Sequence, residues 1–246
     1  MPEADPAFRA DVLAGLAAPV PAVPARWLYD HRGSELFDRI TRLPSYYPTR
    51  TETALLEQVM PEIAALAADD CAIVELGFFP GSTIGNFVPP SATDLLRAFR
   101  ADLGTGARLL IGMDRVKPVE RLLAAYDDSE GVTAEFNLNL LHRINRELGA
   151  DIPVDAFRHE ARWDDVLSRI EMHLVAARDV VFTIAGHRFA FARGASIHTE
   201  NSHKYGPRGG RVLLLAGGWT PLVEWTDTAG DFVLILAEAQ PDRLAP

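Results

Sequence analysis

Four polar residues crowd one short stretch of this chain, Glu200, Asn201, Ser202 and Lys204 of IHTENSHKY. Glu200 by itself reads as a surface acid; with an amide, a hydroxyl and an ammonium in the same loop, it reads as part of a binding site. A second group is aromatic. Tyr29, Phe37 and Tyr46 fall within WLYDHRGSELFDRITRLPSYYPTRTE (27–52), and Tyr126 opens YDDSEG. Singly, such rings are core packing more often than site residues. Asp114 ends the apolar run RLLIGMD, and the carboxyl end of a strand is a usual place for a site residue. Other polar groups read as bland. The Asp127–Asp128 pair is expected in a helix-ending turn, and GPRGG (206–210) in a loop. His142, His159, His173, His187, His198 and His203 lack ligand spacing, so they are expected at the surface or in packing, and no metal site is expected.

The elements that must position these groups follow from the apolar spacing. Phe8, Val12 and Leu16 fall four apart and predict a helix over 7–17. Leu55, Val59, Ile63 and Leu66 predict another, with Thr49 and Glu52 as a capping box and Pro61 as a kink or break. CAIVELG (71–77) and RLLIGMD (108–114) read as buried strands. Between them, Ser91 is expected to cap a helix carrying Leu95, Leu96 and Phe99, which Gly104 and Gly106 end. A helix starts near Pro118, and Phe136, Leu140, Ile144 and Leu148 define the next. Residues 156–191 alternate, with Ile170, Met172 and Leu174 on one face and a tight turn at Ala185–Gly186. Strands near 221–226 and 232–238 close the chain. Alternating helices and strands with an inserted β region predict an α/β architecture.

Composition narrows the classes. The chain has 246 residues, 48% hydrophobic and 24% charged, with a net charge of −10. An acidic chain with only two lysines, Lys117 and Lys204, is a poor nucleic-acid ligand. The apolar runs are strand-sized, so no membrane span is expected. The N-terminus lacks a basic-then-apolar signal pattern, and the lone Cys71 suits a reducing compartment; a cytoplasmic protein is expected.

Taken together, WLYDHRGSELFDRITRLPSYYPTRTE, FFPGSTIGN (78–86), YDDSEGVTAEFNLNLLHRINRELGAD (126–151), RIEMHLV (169–175) and IHTENSHKY (197–205) resemble the histidine-specific Nα-methyltransferase family. These enzymes use S-adenosylmethionine to trimethylate histidine on the route to ergothioneine. The resemblance implies a Rossmann-like methyltransferase domain with a second, α+β substrate-binding region. Its division here would be an N-terminal helical lid (1–70), a remnant methyltransferase core (71–125 with 211–246) and a substrate region (126–210). It also implies roles. Tyr29 would lie near the amine as the catalytic phenol, accepting a hydrogen bond or relaying a proton. Phe37 would line the same pocket, and Tyr46 would sit between donor and substrate. Gly81, Asn86 and Tyr126 would meet the amino-acid head group. Met172 would pack on the imidazole, and Glu200 and Ser202 would bond its two ring nitrogens. A carboxylate and a hydroxyl suit a ring with two nitrogens and discriminate against apolar rings.

One part of the family pattern is absent. A Rossmann methyltransferase runs its first strand into a Gly-rich turn and a helix N-terminus, and an acid at the end of the second strand grips the ribose. Here AIVELG runs directly from Gly77 into Phe78 of FFPGSTIGN. About two βαβ units of ~30 residues each are missing. Of the donor site only Gly77 and Tyr46 are left, so binding of S-adenosylmethionine is expected to fail and the chain to be inactive. The alternatives are a non-catalytic amino-acid-binding protein, or a methyltransferase for another amino acid. An uncovered sheet edge also predicts self-association.

Overall fold

The computed structural model describes residues 5–66 and 82–241. Cys71, Gly77, Gly81 and the strand expected at 71–77 lie outside the described residues. In chain order the elements are α1 (Pro6–Leu16), α2 (His31–Ile40), α3 (Tyr47–Leu66), α4 (Pro89–Leu103), β1 (Arg108–Asp114), α5 (Val119–Tyr126), α6 (Val132–Leu148), β2 (Phe157–Asp164), β3 (Arg169–Ala176), β4 (Val180–Ile184), β5 (His187–Phe191), β6 (Ser196–His203), α7 (Gly209–Ala216), β7 (Trp219–Thr226) and β8 (Phe232–Ala239). The mixture of helix and strand is that expected of the α/β class. Among the described residues, no helix is long and apolar enough to cross a membrane.

The chain divides into two compact units, Met1–Tyr46 with Pro118–Asn201, and Tyr47–Lys117 with Ser202–Pro246. In the first, Phe8, Val12 and Leu16 of α1 are all buried, as their spacing requires. Helix α6 buries Phe136, Leu140, Ile144 and Leu148 on one stripe and packs against β2 and β3. Strands β2 and β3 pair antiparallel from Phe157–Ala176 to Asp164–Arg169, and β6 flanks β3. The β4–β5 hairpin turns through Ala185 and Gly186, both at positive φ (47° and 85°), the conformation of a two-residue type I′ turn.

Among the described residues, the second unit is built on three strands in the order β1–β8–β7, paired antiparallel. Its middle strand explains the unbroken apolar run FVLILA. Val233 and Ile235 pack with Leu96 of α4 and Leu213 and Leu214 of α7, while Phe232, Leu234 and Leu236 pack with Leu55 and Val59 of α3. Burial on both faces removes the alternation of a half-exposed strand. Pro221 marks a register shift in β7, since proline has no N–H for the ladder.

Several local expectations are corrected. Helix α3 begins at Tyr47 and runs unbroken through Pro61, so Thr49 is inside it and does not cap it. Helix α4 starts at Pro89–Pro90, where missing amide hydrogens cost nothing, and Ser91 is internal. The stretch 200–204 is largely strand β6, not loop. Helix α7 was not expected at all, because GPRGG conceals its start.

Candidate amino-acid site

Within the first unit, WLYD does two jobs. Asp30 caps α2, accepting from the Gly33 N–H at 2.7 Å. It also accepts from Asn139 (2.8 Å) and Arg146 (2.6 Å) of α6. Gly33 is required here: a Cβ would lie 1.8 Å from the Leu28 carbonyl oxygen. Burial alone would raise the Asp30 pKa, but the Gly33 N–H, Arg146 and Asn139 together hold it below the ordinary carboxylate value. The residue before this cap, Tyr29, is thereby fixed against α6.

Tyr29 opens a chain of aromatic contacts. Its ring meets Phe37 edge-on at 5.5 Å and Phe136 at 5.4 Å. Phe37 meets Tyr46 at 6.4 Å, and Tyr46 meets Tyr126 at 6.0 Å. Such edge-to-face pairs each contribute about 0.5–1.5 kcal/mol beyond burial. The Tyr29 hydroxyl donates to Oε1 of Glu200 at 3.4 Å. Enclosure, then the Glu200 carboxylate, push the Tyr29 pKa well above 10. At neutral pH Tyr29 is therefore a protonated phenol, a donor whose oxygen can still accept; it is not a phenolate base.

Met172 and Glu200 are buried on neighbouring strands β3 and β6, which the Thr199 hydroxyl ties together by donating to the Met172 carbonyl at 3.0 Å. The fold thus gathers Tyr29, Phe37, Tyr46, Tyr126 and Glu200 in one unit. Phe136 joins them, which its i, i+4 spacing had assigned only to the core. His159 is also more than packing. Its Nδ1 faces the Asn137 amide at 2.9 Å and its Nε2 the Tyr126 carbonyl at 2.8 Å. Burial holds His159 below the usual histidine pKa, so the neutral ring donates to Tyr126 and accepts from Asn137. Asp128 belongs to the turn between α5 and α6, where it accepts from the Val132 and Thr133 N–H groups and caps α6.

Two of the histidines expected at the surface or in packing come together at one place. Glu171, His173 and His198 offer ligand atoms within 4.8 Å of one another. His173 Nε2 lies 2.9 Å from Glu171 Oε2, and the two imidazoles stack at 5.0 Å. The other oxygen of Glu171 accepts from Arg169 at 2.9 Å. A guanidinium on the same carboxylate opposes a cation there, so the cluster reads as a hydrogen-bonded network.

The other site residues fall in the second unit. Asn86 ends the 3-10 turn Thr83–Asn86. Ser82 begins that turn at φ 61° and accepts from the Asp114 N–H at 3.0 Å. Ser202 is buried near the end of β6. Asp114 is fully buried, and Lys204 lies 2.8 Å from one of its oxygens while Lys117 grips the other. Tyr47 donates to the same carboxylate at 2.7 Å. Burial would raise the Asp114 pKa; Lys204 and then Lys117 bring it below the ordinary range. The chain's two lysines, 87 positions apart in sequence, thus share one carboxylate.

These residues do not suit a donor nucleotide. The acid at the end of β1 is consumed by two ammonium groups and a phenol. Among the described residues, the sheet of this unit pairs antiparallel, and no Gly-rich turn leads from a strand into a helix N-terminus.

A family model described as histidine-specific methyltransferase, SAM-dependent, matches residues 8–78 and 76–239, two stretches that meet at the Gly77–Phe78 junction. The histidine N-alpha-methyltransferase of Mycolicibacterium smegmatis is 36% identical over 304 aligned positions, covering 94% of this chain and 94% of the relative. That of Mycobacterium tuberculosis matches at the same 36% and the same coverage. Ergothioneine biosynthesis protein 1 of Neurospora crassa is 24% identical over 83% of this chain and 32% of its own length. A solved S-adenosylmethionine-dependent methyltransferase of Clostridium acetobutylicum overlaps with a TM-score of 0.33 at 10% identity, covering 75% of this chain and 71% of that one, too loosely to argue from. The chain belongs to the histidine-specific methyltransferase family, whose cofactor is S-adenosylmethionine. An alignment of 304 positions exceeds the 246 residues present, so the mycobacterial relatives carry residues with no counterpart here.

Proposed function

We propose that this chain is the amino-acid-binding part of a histidine Nα-methyltransferase, and that it takes L-histidine without holding the methyl donor. The observation that carries the reading is the ring cluster of Tyr29, Phe37, Tyr46 and Tyr126 ending on the Glu200 carboxylate. In this reading Glu200 bonds an imidazole nitrogen and Met172 packs on the ring face. Tyr126 holds the head group, and Tyr29 lies beside the amine. The amine must lose a proton before it attacks a sulfonium methyl; the Tyr29 oxygen can accept a hydrogen bond from it but not remove its proton as a phenolate. In this reading the substrate region is the compact unit of Met1–Tyr46 with Pro118–Asn201, in place of an expected lid over 1–70 and substrate region over 126–210. The split of the family match at residues 76–78 supports loss of the donor segment.

Calorimetric titration of the full chain tests both halves. L-Histidine is expected to bind and S-adenosylmethionine not to. Donor binding at ordinary micromolar affinity overturns the second half, and silence with histidine overturns the first. Glu200→Ala should weaken histidine about 100-fold while changing the affinity for tryptophan less than about threefold, because a ring N–H loses its acceptor. An equal loss for both amino acids removes Glu200 from its assigned role.

A further inference from the structure

We propose that His159 is a positioning residue of the amino-acid site: as a neutral ring it anchors the main chain of Tyr126 at the end of α5 and so sets the orientation of the Tyr126 side chain. The inference rests on the reading above, in which Tyr126 holds the amino-acid head group. Every residue it uses lies in the first compact unit.

The donors and acceptors leave one assignment. Tyr126 is the last residue of α5, and the final carbonyls of a helix have no partner within it. The Tyr126 carbonyl can only accept. It lies 2.8 Å from Nε2 of His159 on β2, so Nε2 carries the proton. A neutral ring then leaves Nδ1 bare, and Nδ1 lies 2.9 Å from the side-chain nitrogen of Asn137 on α6. The same nitrogen donates to the His173 carbonyl of β3 at 3.2 Å. Turning the Asn137 amide over would set its oxygen against that carbonyl, so the amide is fixed as well. The string of hydrogen bonds ties the end of α5 to β2, α6 and β3. An imidazolium would present a second N–H to the Asn137 N–H and break it.

The surroundings support the neutral form. Asn137 is fully buried, and His159 and Tyr126 are buried beside it. Burial leads in holding His159 below the usual histidine value; the Tyr126 carbonyl, Asp127, Asp128 and Glu160 pull the other way and do not prevail. The turn after Tyr126 is pinned too. The Asp127 N–H donates to the Leu123 carbonyl at 2.8 Å, and Asp128 caps α6. Tyr126 thus stands where one helix ends and the next is set up, with His159 holding its own carbonyl. Its ring meets Tyr46 at 6.0 Å, the end of the aromatic chain. A binding group works only within about 0.5 Å of its proper place, so loss of the main-chain anchor is felt at the side chain.

The test is the affinity of the full chain for L-histidine, measured calorimetrically at about pH 7.5, where a histidine of ordinary or lowered pKa is neutral. His159→Phe fills the space without a donor and should bind about tenfold more weakly. His159→Gln restores an N–H for the Tyr126 carbonyl and an oxygen for Asn137, and should bind within about twofold of wild type. Tyr126→Leu should itself weaken binding about tenfold, and adding His159→Phe to it should cost less than about twofold more, because the two act through one side chain. A full tenfold loss from His159→Phe in the Tyr126→Leu background overturns the proposal, since His159 would then support the fold in general. So does a His159→Phe chain that binds like wild type, or a folded His159→Gln chain that binds as weakly as His159→Phe. If His159→Phe fails to fold, His159→Met takes its place in the cycle. Nitrogen NMR of the wild type needs no variant: His159 should be protonated at Nε2 and bare at Nδ1, and the other tautomer or the charged ring overturns the proposal. Histidine binding that ignores Tyr126→Leu removes Tyr126 from the head group, and this inference with it. Absence of histidine binding by the wild type overturns the functional reading itself.

Discussion

The two units treat polar groups in opposite ways. In the first, Glu200 is buried and accepts from the Tyr29 phenol at the end of the aromatic chain. In the second, Asp114 is buried among Lys117, Lys204 and Tyr47 and is fully engaged. Both are buried carboxylates, and only Glu200 stands next to the aromatic chain that the proposed reading gives to a ligand. The contrast separates a proposed site from an anchor by the partners each acid meets, which neither burial nor residue type reveals.

The largest effect expected is on the anchor. Asp114→Ala leaves two buried ammonium groups without their carboxylate, and should destabilise the second unit by about 3–5 kcal/mol. Hydrogen exchange should show β1, β7 and β8 opening first; uniform loss across the chain would erase the contrast. Next, His159→Ala removes the ring between Asn137 and the Tyr126 carbonyl and should cost about 1–3 kcal/mol. Because the folded pKa of His159 is depressed, its contribution is complete above about pH 6.5 and declines as acid protonates the unfolded chain first. Denaturant melts of the variant across pH should lose that decline.

Asp30→Ala removes a helix cap and two contacts to α6, and about 1–2 kcal/mol is expected. Asp30 also has a depressed folded pKa, so its stabilisation is present above the ordinary carboxylate value of about 3.9 and is lost as pH falls below it. Asp30→Asn should retain part of the cap but no acid dependence, and melts at about pH 3 and 7 distinguish the two. The smallest effect lies far from both acids. Ala185 holds a left-handed φ of 47°, and Ala185→Gly should stabilise the hairpin by about 0.5–1 kcal/mol in thermal melts.

Much of the fold was legible because it is local. The spacing of Phe136, Leu140 and Ile144 defined α6, and RLLIGMD defined β1 to the residue. The Ala185–Gly186 turn was legible from hairpin alternation. What escaped depended on distant partners or on misleading local chemistry. Gly209 and Gly210 hid α7, whose apolar residues Leu213 and Leu214 find their partners on α4 and β8. Tyr29, Phe37, Tyr46, Tyr126, Glu200 and Ser202 could be named only through long family motifs, since nothing in their spacing links residue 29 to residue 200. Phe136 carries a periodicity that a core residue and a site residue share. The Asp114 pairing with Lys117 and Lys204 had one sequence signal, the scarcity of lysine, because a chain that uses arginine for its surface charge has a reason to keep its two lysines.

Strand β6 carries Glu200 and Ser202 two residues apart, on the same side of one extended backbone. Two residues of strand advance about 6.6 Å, close to the span of a five-membered ring with a hydrogen bond at each nitrogen. In the proposed reading the ruler that would measure the ring is therefore a single covalent segment. An insertion of one residue between the two groups would turn one of them to the opposite face and blank the scale.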